Sequence, residues 1–95
     1  MATITRRPTT SVIAVETFLH LTANSVDISD GSGDEIRHYM TIETSGQDTL
    51  RSQQFVGDWT WDGVVLPAAA TWTAHLRQVS DDTSVANLAI VAAAS

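Results

Sequence analysis

The sequence predicts an all-β domain, a small antiparallel immunoglobulin-like β-sandwich of about seven short strands. Three observations indicate this fold. Apolar and polar residues alternate over several short runs, which is the pattern of strands with one buried face. Turn-forming residues recur at intervals of roughly 8 to 12 residues, as in sandwiches. No segment has a clear helical period. A small closed β-barrel is the alternative.

The length of the chain predicts a single domain. Its 95 residues are 43% hydrophobic and 17% charged, which is enough for one core and too little for two. We expect the sandwich to span residues 11–95. Residues 1–10 are polar and contain Pro8, so we expect an N-terminal arm that is either flexible or ordered on a neighbouring subunit.

The first half of the domain is predicted to contain three or four strands. SVIAVETFLHL, residues 11–21, favours two short strands or one bent strand because it is β-branched early. SVDIS is predicted to be a half-buried strand with Val26 and Ile28 on one face. DGSGDE, residues 30–35, is predicted to be a turn. EIRHYMTIE alternates, and His38 on its apolar face is expected to be a partly satisfied core residue.

The middle of the chain is less regular. One or two short strands are expected between Leu50 and Trp61, broken near Gly57. Asp62-Gly63 is predicted to be a hairpin turn, because this kind of dipeptide favours the backbone of a two-residue hairpin loop. Pro67 is expected to end the following strand, since proline donates no hydrogen bond to a sheet.

Burial alone predicts a register for the last hairpin, TWTAHLRQVSDDTSVANLAIVA. Alternate residues from Trp72 to Leu76 and from Ala86 to Ile90 are apolar and must share the buried face. A slip of one residue would turn one apolar set outward, so paired residues must have numbers with an even sum. We therefore predict a loop of three or five residues. The expected pairs are Leu76 with Ala86, Ala74 with Leu88, and Trp72 with Ile90.

The charge and composition of the chain argue against several classes of partner and cofactor. The net charge is −6 and only five residues are basic, which argues against binding to nucleic acid. The apolar runs are far shorter than the roughly 20 residues that span a bilayer, so no membrane partner is expected. The chain has no cysteine and therefore neither a disulfide framework nor a zinc–thiolate site. We expect no cofactor.

Three kinds of residue are candidates for a site of chemistry. Asp30, Ser32 and Asp34 have the alternate spacing of calcium ligands, but Glu35 stands where a calcium loop needs glycine and Thr41 where it needs glutamate. A solvated turn is the favoured interpretation, and no metal is expected. The three histidines have no metal-ligand spacing and no serine has the setting of a nucleophile elbow, so no enzyme is expected.

Two tryptophans raise a separate question. Trp59 and Trp61 are two residues apart, and on a strand both side chains face the same side. If exposed, they and Tyr39 are candidates for a shelf that stacks on a sugar ring or anchors a protein. The favoured interpretation is that both indoles fill the core, because so small a sandwich needs their area.

LPAAATWTAHLRQVSDDTSVANLAIVA resembles the closing hairpin of immunoglobulin-like modules found in bacteriophage virion proteins. In those modules an approach of small residues leads into a T-W-T-A-x-L type of strand, an acidic turn and a final aliphatic strand. The resemblance covers residues 64–92, less than a third of the chain. Ala68-Ala69-Ala70 lacks the glycine that is usual in the approach.

The resemblance implies a non-enzymatic structural virion protein, assembled in the host cytoplasm and most often a capsid decoration or stabilising protein. Its partner would be the major capsid protein or another virion protein, bound in many symmetric copies or as a homo-oligomer. We expect docking through the arm and one sheet face; the candidate residues are Arg6, Arg7, Pro8, His75 and Arg77. The alternative is a tail-tip or fibre module that recognises a host-surface glycan or protein through Trp59, Trp61 and Tyr39.

Overall fold

A computed structural model describes residues 2–7, 12–13 and 16–92. These residues form eight β-strands and no helix, so the all-β prediction is confirmed. The strands are β1 (Thr3–Arg7), β2 (Val12–Ile13), β3 (Glu16–Asn24), β4 (His38–Glu43), β5 (Leu50–Arg51), β6 (Trp59–Leu66), β7 (Ala70–Gln78) and β8 (Ser84–Ala92). All the strand pairs are antiparallel.

The first sheet is built around β3. Strand β6 pairs with β3 from Thr17 to Ala23 along one edge. Strands β1 and β2 pair with the two halves of the same strand, so they must occupy its other edge one after the other. This sheet is therefore three strand positions wide. The segment 11–21, expected to form two short strands or one bent strand, contains the short β2 and the start of β3, which is nine residues long and continues to Asn24.

The second sheet has the strand order β5-β4-β7-β8. The first sheet thus contains β1, β2, β3 and β6, and the second contains β4, β5, β7 and β8. Within the described part of the chain, no strand of one sheet pairs with a strand of the other. The two sheets form a sandwich, and the closed-barrel alternative is wrong.

The core lies between the two sheets. Trp72 is fully buried near its centre, and its indole Nε1 donates a hydrogen bond to the Ala68 carbonyl at 3.1 Å. Both sheets supply the other large side chains that are fully buried: Leu19, Leu21, Met40, Ile42, Leu66, Leu76 and Ile90. Removing this apolar surface from water is the main force that holds the layers together.

The closing hairpin has the predicted register. Leu76 pairs with Ala86, Ala74 with Leu88, and Trp72 with Ile90. Five residues, 79–83, separate β7 from β8. Next to the loop, a β-bulge pairs Arg77 with Ser84, so that β8 has one residue more than β7 at this point. The apolar pairs beyond the bulge keep their common buried face.

The N-terminal segment differs from the expected arm. Residues 3–7 form β1 against β3, and Ile4 is buried. One buried apolar side chain is too little to show a period, so the apolar spacing does not indicate a strand here. Arg6 pairs with the buried Leu21 and therefore lies on the core-facing side of this edge strand, a placement that discourages further pairing. Pro8 and the rest of segment 8–10 lie outside the described residues.

The strand predicted for SVDIS is wrong. Ser25 has a φ of 56°, and the chain turns away from β3 there. The segment pairs only through a single bridge at Ser29, so nothing maintains its alternation. Val26 is buried, but Ile28 is 62% exposed instead of sharing its face. The predicted turn after it is present, with Gly33 at a φ of 85°.

The hairpin predicted at Asp62-Gly63 is also wrong. Both residues lie inside β6, where the pairs Leu19–Val64 and Leu21–Trp61 leave two residues opposite His20. This is a β-bulge, and Gly63 has a φ of 67°. The same left-handed backbone preference serves hairpin turns and bulges, so the dipeptide alone does not separate them. As predicted, the strand before Pro67 ends at Leu66.

Candidate functional site

The outer face of the four-stranded sheet carries the most organised polar group in the described residues. It is formed by side chains of β4 and β7 that alternate with those in the core: Tyr39, Thr41, Glu43, Thr73, His75 and Arg77. Tyr39 is only 4% exposed and Thr41 only 2% exposed, although neither faces the core. Longer polar side chains therefore cover this face.

Arg77 is the centre of that cover. Its Nε donates to Thr41 Oγ1 at 3.2 Å, its Nη2 to Glu43 Oε2 at 3.0 Å, and its Nη1 to the carbonyl of Asp82 at 2.9 Å. The Thr41 hydroxyl donates in turn to Glu43 Oε2 at 2.8 Å. The hydrogen bond from this hydroxyl is the main cause that lowers the pKa of Glu43, and the Arg77 guanidinium lowers it further. The guanidinium thus joins β4, β7 and the loop that precedes β8.

Tyr39 fixes the same loop at a second point. Its hydroxyl donates to Asp82 Oδ1, and this hydrogen bond, together with burial, raises the pKa of Tyr39. The guanidinium carbon of Arg51 lies 4.7 Å from the centre of the Tyr39 ring, which is the geometry of a cation–π contact. The loop between β7 and β8 is therefore bonded to the sheet face at two points.

The residues expected to bind a partner do not form one patch. His75 and Arg77 do lie on the outer face of the hairpin, as predicted, with His75 Nδ1 3.0 Å from Ser84 Oγ. Arg77, however, is engaged by groups of its own chain. Arg6 lies on the core-facing side of the other sheet. The side chain of Arg7 and all of Pro8 lie outside the described residues.

The three aromatic residues proposed as a shelf are also separated. Trp59 and Trp61 pair with Ala23 and Leu21, which are both buried, so the two indoles point inward and are partly buried. The Trp59 ring stacks on Phe55, with 4.9 Å between ring centres. Tyr39 lies on the outer face of the opposite sheet. The interpretation of the indoles as core residues agrees with this geometry.

The candidate calcium loop uses its ligands for another purpose. Asp30 Oδ1 accepts hydrogen bonds from the backbone N–H groups of Ser32 and Asp34, at 2.8 and 3.0 Å. The carboxylate thus stabilises the turn itself. Within the described ranges, no group of three or more histidine, aspartate or glutamate side chains is placed to hold a metal ion.

His38 is buried, as predicted, at 2% exposure. Its ring stacks loosely on Phe55, and its Nδ1 has no hydrogen-bond partner. Burial lowers the pKa of His38, and the negative charge of Asp27 opposes that effect. A neutral imidazole is therefore sealed beneath the end of the sandwich where β4 begins.

The sequence pattern does not reveal that this end of the sandwich is acidic. Segments 25–37, 55–58 and 79–83 all adjoin the same end of the sheets, and we call them together the acidic tip. They contain seven of the eleven acidic residues of the chain: Asp27, Asp30, Asp34, Glu35, Asp58, Asp81 and Asp82. The run from 27 to 35 was visible in the sequence, but only the fold brings the other three carboxylates beside it.

Comparisons with protein-family models, with curated proteins and with solved structures find no match to this chain. The part of the chain that the structure describes contains no helix long and apolar enough to cross a membrane.

Proposed function

We propose that this chain is a non-enzymatic structural module that acts by binding another protein, as a capsid decoration or stabilising protein of a bacteriophage. The resemblance of residues 64–92 to virion modules suggests this role. Those residues form the last three positions of β6 and the whole β7–β8 hairpin. In the proposed role the module sits in many symmetric copies on the shell and acts as a rigid spacer.

The network around Arg77 is the observation that carries the proposal. A catalytic group must be free to meet a substrate or to exchange a proton. Here Arg77, Glu43, Tyr39 and Asp82 contact one another and hold the sheet and its loop in place. The most ordered polar cluster on the surface therefore does structural work, which favours a rigid module over an enzyme.

The alternative, a tail-tip or fibre module that holds a glycan, is not favoured by the geometry. Stacking on a sugar needs an open aromatic face. Trp59 and Trp61 point toward the core, and Tyr39 lies on the other sheet beneath Arg51. These rings do not present one common surface.

The test uses purified particles of the source phage. We expect mass spectrometry to detect the chain at a fixed ratio to the major capsid protein, and electron cryomicroscopy to place a sandwich of this size at symmetric positions on the shell. Particles stripped of the chain should recover it from solution until every position is filled. Absence of the chain from purified particles, or a stripped shell that binds none of it, would contradict the proposal.

A further inference from the structure

The acidic tip also carries exposed apolar side chains. Ile28 is 62% exposed and Val56 is 38% exposed, and they are two of the three large hydrophobic side chains exposed in the described residues. Ile28 lies against the backbone next to Val56, because a Cβ added at the buried Gly57 would lie only 3.1 Å from Ile28 Cγ2. An exposed apolar patch with a polar rim is typical of a protein-binding surface.

The rim of this patch is almost entirely negative. All seven carboxylates of the tip belong to exposed residues. Arg37 is the only basic residue within the three segments, and its Nε lies 2.9 Å from Glu35 Oε2. Crowded like charges repel one another in the free protein, and a positively charged partner would relieve that repulsion.

The tip is also held in shape before any partner arrives. The backbone N–H of Val26 donates to Asp58 Oδ1 at 2.9 Å and so joins the first segment to the second. The N–H of Val79 donates to the Arg37 carbonyl at 2.9 Å and joins the third segment to the first. Because the surface is already ordered, binding costs little conformational entropy.

We propose that the acidic tip is the docking surface of this chain, and that its partner is a protein surface with arginine or lysine side chains around an apolar pocket. The pocket takes Ile28 and Val56, and the basic side chains face the carboxylate rim. A second tip is excluded as the occupant because it would place like charges opposite each other. This inference rests on the proposed function, and it moves the contact from the sheet face to the end of the sandwich.

The first experiment measures binding of the purified chain to stripped phage shells. Ile28→Ser is compared with Val91→Ser, because both side chains are 62% exposed but Val91 lies near the end of β8 that is farthest from the tip. We expect Ile28→Ser to weaken binding about tenfold or more, as a central apolar contact does, and Val91→Ser to change it less than about twofold. Circular dichroism verifies that both variants fold.

The second pair tests the charge. Asp34→Asn removes a carboxylate of the rim, and Asp48→Asn removes one that is also exposed, from the loop at the other end of β4. We expect Asp34→Asn alone to slow association with the shell and to reduce the effect of salt on it. Wild-type binding with Ile28→Ser and Asp34→Asn indistinguishable from their controls would overturn the tip and leave the proposed function standing.

A third measurement does not depend on the shell. A soluble peptide of alternating lysine and leucine is titrated into the isotopically labelled chain, with an alternating glutamate and leucine peptide as the control. Amide shifts confined to the acidic tip, and seen only with the basic peptide, are the expected result. Shifts spread over all exposed carboxylates, or the absence of any shift, would overturn the inference. This result does not depend on whether the wild-type chain binds shells.

Discussion

Replacement of Trp72 by alanine tests the packing on which the whole fold depends. Trp72 is fully buried between the two sheets, and its indole N–H satisfies the Ala68 carbonyl. Ile90 lies directly opposite it on β8. The substitution therefore empties the middle of the core and leaves the carbonyl without its donor.

The burial of Trp72 gives the expected size of the loss in the free energy of unfolding. A buried tryptophan removes about 200 Å² from water. At about 25 cal/mol per Å² this corresponds to roughly 5 kcal/mol as an upper estimate, because the unfolded chain is already partly compact. The lost hydrogen bond adds about 1 kcal/mol, and relaxation of the cavity walls offsets part of the total. We expect a loss of about 3–5 kcal/mol, against a total stability of about 5–15 kcal/mol for a small domain.

The assay is urea unfolding followed by tryptophan fluorescence and by circular dichroism. Trp72→Phe keeps most of the apolar area and should lose less than the alanine variant. Val91→Ala is the control, since that side chain is 62% exposed on the same hairpin, and it should change stability by less than about 0.5 kcal/mol. A loss below about 1 kcal/mol for Trp72→Ala would refute the inward assignment of this face.

Three further predictions concern single positions. Gly63→Ala should lower stability by about 1–2 kcal/mol in thermal or urea unfolding, because Gly63 has a φ of 67°, which alanine adopts only with strain. Gly31→Ala should change stability little, because an added Cβ at either position meets no atom and Gly31 has no positive φ. The pKa of His38 is lowered by burial, so the folded protein binds fewer protons than the unfolded chain. Stability should therefore fall as the pH drops below the ordinary histidine pKa of about 6.5, and His38→Phe should flatten this slope. The pKa of Tyr39 is raised by its bond to Asp82, so stability should fall as the pH rises above about 10, and Tyr39→Phe should remove that loss. Unfolding curves that depend on pH in the same way with and without each substitution would contradict the last two.

The predictions were accurate where burial on two strands at once restricted a segment to one arrangement. The three apolar pairs of the β7–β8 hairpin were predicted correctly, because two apolar faces had to match and only one parity allows it, whereas the bulge at Arg77 was not predicted. SVDIS has the same alternation over fewer residues, but it has no partner strand, and Ile28 ended on the surface. Asp62-Gly63 shows a different limit, since a positive φ at glycine fits a bulge as well as a turn.

The polar surface was less predictable than the core. The alternation of β4 and β7 placed Tyr39, His75 and Arg77 on the outer face. It did not indicate that Arg77 would bond Glu43 and the loop residue Asp82, because these partners are 34 and 5 residues away along the chain. Arg77 was expected to meet a partner, and the fold satisfies it internally instead.

The sequence by itself determined the all-β class, the single core and the register of the last hairpin. Each follows from the spacing of apolar side chains within one or two neighbouring strands. Only the tertiary structure decided that residues 3–7 form a strand, that Trp59 and Trp61 point away from Tyr39, and that three distant segments meet in the acidic tip. The physical reason is that a strand edge, a sheet face and the charge of a surface are produced by pairing between distant segments, and local spacing carries no record of that pairing.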